Sequence, residues 1–300
     1  MTELEYMKQE DGFLGIKENY LTDVNQAKIV VVPFGMESSS KFNTGTRTGP
    51  RAIIRASHQL ELFDEEYNSE TYKDIGIRTL AEHRVDYNAA NALNDIEDII
   101  EHLIEEDKIP LILGGEQTLT SGAIRPFIKK YEDLVILHFD SHTNLKDPDS
   151  DTNYSGLSSI RKIPPHKISK IISCGIRSVS KEEKEFIDNH KNIFEIYYAK
   201  DLDKWNKKEI TASLKGKKVY LTFDLSGFDS SVMPATGMPE PGGFFWSDAM
   251  RIVKETAKIS DIVGIDIVEL APISYLHSCD ILAAKLGYKI LGHIFNQRNK

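Results

Sequence analysis

The sequence predicts an α/β fold built on a mainly parallel sheet, and three observations predict it. Short, nearly continuous apolar runs recur along the chain, as in strands buried on both faces. Amphipathic stretches with helical spacing lie between them. The two alternate, which is the βαβα signature of a parallel sheet covered by helices. No Ser/Gly/Pro linker and no internal repeat divides the 300 residues, and a single α/β domain over 1–300 is expected.

The elements follow in order. KIVVVPF (28–34) is the first strand, and PRAIIRASHQLELF then begins a helix, with Pro50 suited to its first turn. Residues 85–106 carry Leu93, Ile96, Ile100 and Leu103 at helical spacing. PLILGG (110–115) is a strand, with a helix from about Leu119, and LVILHFD (134–140) is another strand. ISKIISCG, IFEIYYA, KKVYLTFD and DIVGIDIVEL are four more, separated or followed by helices near 181–190, 207–215, 247–259 and 279–296.

Composition narrows the function. Hydrophobic residues at 40% and charged residues at 28% are ordinary for a globular chain. A net charge of −9 argues against nucleic acid or an anionic membrane as partner and suits a cationic ligand. Cys174 and Cys279 lie in apolar runs and read as reduced, buried thiols. MTELEYMKQEDGF lacks the basic and apolar regions of a signal peptide, and no run of eighteen apolar residues occurs. A cytoplasmic protein is expected. No GxGxxG or P-loop pattern supports a nucleotide cofactor.

In parallel sheets the site lies past the carboxyl ends of the strands. Four strand ends carry candidate chemistry: Gly114-Gly-Glu116-Gln117, Asp140-Ser-His142-Thr-Asn144, Asp224-Leu-Ser226 and Glu269. In extended backbone, residues i and i+2 share a face, so Asp140 and His142 can point into one cleft. With Asp224 they make a three-ligand set for a divalent ion, or else a buried structural Asp–His pair. His138 shares the face of Asp140 and is either its partner or a satisfied core histidine. Asp147, Asp149 and Asp151 form an acidic loop.

Five segments, in order, resemble the ureohydrolases: arginase, agmatinase and formiminoglutamase. FNTGTRTGPRAIIRAS (42–57) is similar to their G-x-R-x-GP-x-A-I-R segment, and LGGEQTLTSGAIR to their GGDHS. HFDSHTN is similar to D-A-H-x-D, and GIDIVELAP to D-x-x-E-x-x-P. FDLSGFDSSVMPATGMPEPGGFFW resembles D-x-D-x-x-D-P…TGTPEPGG, and its TGMPEPGG (236–243) is the most specific match. The chain is most like agmatinase.

The resemblance implies a three-layer α/β/α sandwich, a two-manganese site with six ligands and release of urea from a guanidino compound. Asp140, His142 and Asp224 keep their ligand identity. Gln117 stands in place of a histidine, and Asn144 and Ser226 in place of aspartates. Glu269 corresponds to the residue that holds the guanidinium end of the substrate. Asp229 matches a family aspartate outside the usual ligands, with a structural role implied. The histidine of the family's Y-S-H-G-T-like loop has no counterpart in Tyr154-Ser-Gly-Leu-Ser158.

Electrostatics weighs these changes. Two divalent ions about 3.5 Å apart repel by roughly 19 kcal/mol at an effective dielectric of ~20. The family offsets this with four aspartates, and the matching positions here supply two. A two-manganese cluster is therefore disfavoured. Asp140, His142 and Asp224 carry −2 together, which suits one manganese or zinc ion, as in zinc-dependent deacetylases. Three functions stay open: an agmatinase-like hydrolase of a guanidino C–N bond, with Asp140, His142 and Glu269 catalytic; a non-catalytic binding or regulatory member; and a one-metal hydrolase of another C–N bond. By resemblance, a homo-oligomer is expected, a trimer or hexamer.

Overall fold

The computed structural model describes residues 4–17, 26–38, 43–147 and 156–298. Asp149, Asp151 and Tyr154 lie outside the described residues. Eight strands form one sheet: β1 (Ile29–Phe34), β2 (Ile77–Thr79), β3 (Ile109–Gly114), β4 (Val135–Phe139), β5 (Lys170–Ile176), β6 (Phe194–Tyr198), β7 (Lys218–Asp224) and β8 (Asp261–Val268). The order is β2-β1-β3-β8-β7-β4-β5-β6, and every pairing is parallel.

Helices cover both faces. Alternate strand residues point to opposite sides. Val31, Leu113, Leu137, Phe223 and Ile267 pack with α1 (Gly49–Ser57), α8 (Trp246–Ile259) and α9 (His277–Arg298). Val32, Ile112, Ile136 and Tyr220 pack on the other side. There they meet α3 (Ala89–Glu105), α4 (Thr120–Ala123), α5 (Arg125–Lys130) and α6 (Lys181–Asn189). The apolar stripe read from the sequence on α3, Leu93, Ile96, Ile100 and Leu103, is fully buried. The architecture is the three-layer α/β/α sandwich.

Two local expectations need adjustment, and one strand has no sequence signal. The helix from Pro50 stops at Ser57, whose hydroxyl turns back to donate to the Ile54 carbonyl at 2.6 Å while accepting the Leu14 N–H. The 207–215 helix splits into α7 (Lys207–Ile210) and a 3-10 turn at Ala212–Leu214. The three-residue edge strand β2, preceded by the one-turn helix α2 (Thr71–Ile75), gives too short a pattern to detect.

The topology gathers the site. Strands β3, β8, β7 and β4 are consecutive in the sheet although they are the third, eighth, seventh and fourth in sequence. Their carboxyl ends carry Gln117, Glu269, Asp224 and Asp140 respectively.

Candidate functional site

A polar row runs through the sheet beneath these strand ends. Asp266, Thr222, His138 and Ser173 are register partners across β8, β7, β4 and β5. All four are buried, so each polar group needs a bond. Thr222 Oγ1 donates to Asp266 Oδ1 at 2.6 Å, and Tyr220 and Thr120 donate to Oδ2 at 2.7 and 3.0 Å. Burial raises the Asp266 carboxyl above its ordinary value, and these three hydroxyls oppose the rise. His138 Nδ1 lies 3.1 Å from Ser173 Oγ, and its Nε2 lies 3.0 Å from Asp140 Oδ2. His138 is thus both a core residue and a partner of Asp140.

Asp140 is fully buried, and both its oxygens are engaged. Oδ1 accepts the His142 N–H at 2.8 Å and the Ser226 hydroxyl at 3.1 Å. Oδ2 accepts from His138 and from the Asn144 amide. Burial would raise this carboxyl, but hydrogen bonds and charge from His138 and His142 outweigh it and hold it well below the ordinary carboxylate range. His142 Nδ1 is 2.8 Å from Ser141 Oγ, which is 2.9 Å from Ser226 Oγ. His142 Nε2 faces Glu240 at 3.8 Å, beyond hydrogen-bond range.

The remaining predicted residues close around this centre. Asp224 accepts the Ser226 N–H at 2.7 Å, which turns the chain after β7. Gly115 permits the β3 corner, because a Cβ there would lie 1.9 Å from the Met36 carbonyl oxygen. Glu116 is buried and accepts the Ser38 hydroxyl at 2.6 Å. Gln117 Nε2 reaches Thr222 at 3.1 Å and Thr120 at 3.3 Å. Glu269, 2% exposed and at φ +72°, accepts the Gln117 N–H at 2.7 Å. A non-glycine residue at positive φ is strained, and such strain concentrates at functional sites.

Sequence reasoning passed over Arg177. Its guanidinium donates to the carbonyls of Gly175, Ser226, Gly227, Phe228, Glu240 and Pro241 at 2.8–3.1 Å. It ties the Ser226 loop to the PEPGG loop. Asp229 supports the same junction: its carboxylate accepts N–H groups from Ser231, Gly242 and Gly243, and a hydrogen bond from the Ser231 side chain together with these N–H groups holds its pKa down to about 2. Asp147 of the acidic loop pairs with Arg161 at 3.4 Å.

The donor set does not fit a two-ion cluster. At three of the six expected positions stand neutral side chains, and their N–H or O–H groups face other protein groups. Among the described residues, no group of three or more His, Cys, Asp and Glu side chains is arranged to hold a metal. Gln117 Oε1 and His142 Nε2 are buried side-chain atoms without a hydrogen-bond partner. Neither atom carries the negative charge that a pair of divalent ions requires of its ligands.

The polar centre on four adjacent parallel strand ends of an α/β/α sandwich lies where parallel α/β sheets carry their sites. The chain belongs to the arginase family, whose model matches residues 27–292. It is 30% identical over 288 residues to N(1)-aminopropylagmatine ureohydrolase of Synechocystis sp., covering 93% of this chain and 92% of that protein. It is 32% identical over 265 residues to agmatinase of Bacillus cereus, covering 84% and 86%. The crystal structure of agmatine ureohydrolase of Thermoplasma volcanium superposes with a TM-score of 0.83 at 27% identity, covering 94% of both chains. The family is one that depends on divalent metal, typically manganese. Among the described residues no helix is long and apolar enough to cross a membrane.

Proposed function

We propose that this chain keeps the ureohydrolase scaffold and a cleft for a small guanidino or amino cation, and does not run the two-metal hydrolysis. One observation carries the reading. The amide of Asn144 and the hydroxyl of Ser226 donate to Asp140, where aspartate ligands would be expected. Four carboxyl side chains support the cationic ligand: Asp140, Asp224, Glu116 and Glu269 are all buried at neighbouring strand ends. Glu269 is the residue we assign to the ligand's cationic end, and Asp224 adds to the field. The similarity to agmatinase and aminopropylagmatine ureohydrolase favours agmatine-like compounds over arginine.

A one-ion hydrolase is the second reading, with Asp140, His142 and Asp224 as ligands. The bare Nε2 of His142 favours it. Against it stand the four hydrogen bonds that Asp140 would have to loosen.

The test pairs an assay with a binding measurement. Protein prepared with manganese, with zinc and with neither is incubated with agmatine, N(1)-aminopropylagmatine and arginine, and urea is measured. No urea above the blank is expected. Calorimetry should detect agmatine binding, and Glu269→Gln should weaken it about tenfold or more, as loss of a buried charge partner does. Urea release in manganese would overturn the reading. Binding unaffected by Glu269→Gln would remove the assigned ligand site.

A further inference from the structure

The three neutral residues Gln117, Asn144 and Ser226 sit in hydrogen bonds whose direction can be worked out. Asp266 accepts the hydroxyl protons of Tyr220, Thr222 and Thr120. Each threonine hydroxyl has one proton, now committed to Asp266. Toward Gln117 both threonines can only accept. The Gln117 amide nitrogen must therefore face them, and its two protons serve two acceptors at 3.1 and 3.3 Å. A ligating histidine in this place would have one N–H for the two acceptors, since its other nitrogen would hold the metal.

Asn144 obeys the same logic. A carboxylate only accepts, so the amide NH2 of Asn144 must face Asp140, because its oxygen would be repelled. Ser226 supplies another donor at 3.1 Å. With His138 and the His142 N–H, four donors fill the four lone-pair positions of Asp140.

We propose that this centre is built to hold together without a metal. Donor hydrogens from Gln117, Asn144 and Ser226 occupy the acceptors that an ion and its ligands would otherwise organise. The centre therefore gains no stability from a divalent ion and loses none when it is removed. The inference rests on the reading of the site given above, but it concerns stability and not turnover.

Thermal melting of the full chain tests it, in EDTA, in excess manganese and in excess zinc. The wild type should melt at one temperature in all three. An ion bound at a hundred times its Kd would raise Tm by roughly 5 °C in a chain of this size. Such a shift in the wild type, or a lower Tm in EDTA, would overturn the proposal. Asn144→Asp/Ser226→Asp adds two carboxylates beside Asp140. It should lower Tm in EDTA and regain part of the loss with manganese. Equal stability of this variant and the wild type in EDTA would also count against the proposal. Should the double variant fail to fold, Ser226→Ala removes one donor without adding charge, and its loss of Tm should be the same with and without manganese. Urea release with melting unchanged by metal would refute the functional reading and spare this inference. Metal-dependent melting without urea would do the reverse.

Discussion

Asn144 shows how much one residue carries at this site. It lies at φ +54°, a region that asparagine tolerates better than most side chains, and from there its amide reaches Asp140. Motif spacing marked Asn144, Gln117 and Ser226 in the sequence as expected departures from the family's ligands. Their new partners were not legible, since hydrogen-bond direction follows from Asp266, Thr120 and Thr222, which spacing alone does not link to them. Arg177 was hidden for a different reason. Five of its six acceptors are main-chain carbonyls 49–64 residues away, and carbonyls have no sequence signature. Arg177→Ala should destabilise the chain by about 2–4 kcal/mol, because it strands several partly buried carbonyls at once. Arg177→Lys should recover little, with three donors for six acceptors. Urea denaturation monitored by circular dichroism measures both. An alanine variant within 0.5 kcal/mol (about the level of an ordinary surface change) would show that the clamp is dispensable.

At the scale of elements, the strands were legible because their apolar runs are long and end abruptly. Their order was not. The polar row Asp266–Thr222–His138–Ser173 looks like four unrelated interruptions until β8, β7, β4 and β5 lie side by side in register. Packing beside it is aromatic: Phe139, Phe223, Phe228 and Phe244 cluster with centroids 4.7–5.9 Å apart. Phe244→Ala should cost about 3–5 kcal/mol, read as a shift in denaturation midpoint at unchanged slope. A second element carries a pH signature. His293 on α9 is buried, and its Nδ1 is 2.7 Å from Tyr67 Oη. Burial pushes its imidazole down to about 4, with Glu66 and Asp64 opposing the fall and Lys289 and Lys254 adding to it. The unfolded chain then takes up this proton at higher pH than the folded one does. Stability should therefore fall as pH drops from about 6.5 toward 4, by on the order of 2–3 kcal/mol from this group. His293→Asn should flatten that part of the profile in denaturation series across pH. An unchanged slope would place the effect elsewhere.

For the whole molecule, the proposed reading separates scaffold from chemistry. The eight-stranded sheet, both helical layers and the corners that bring four strand ends together are those of the arginase family. Three of the six expected ligand positions now donate hydrogen bonds instead. The fold was readable from the sequence because it depends on many apolar positions, none decisive alone. The proposed loss of the metal chemistry rests on a few positions, each decisive. The central claim is that this centre stands without metal, and the most direct measurement is the metal content of the native protein. The chain is purified from manganese-supplemented culture without chelator, and manganese and zinc are counted per chain by mass spectrometry. The account predicts well under one ion per chain, and one or two tightly held ions per chain would contradict it.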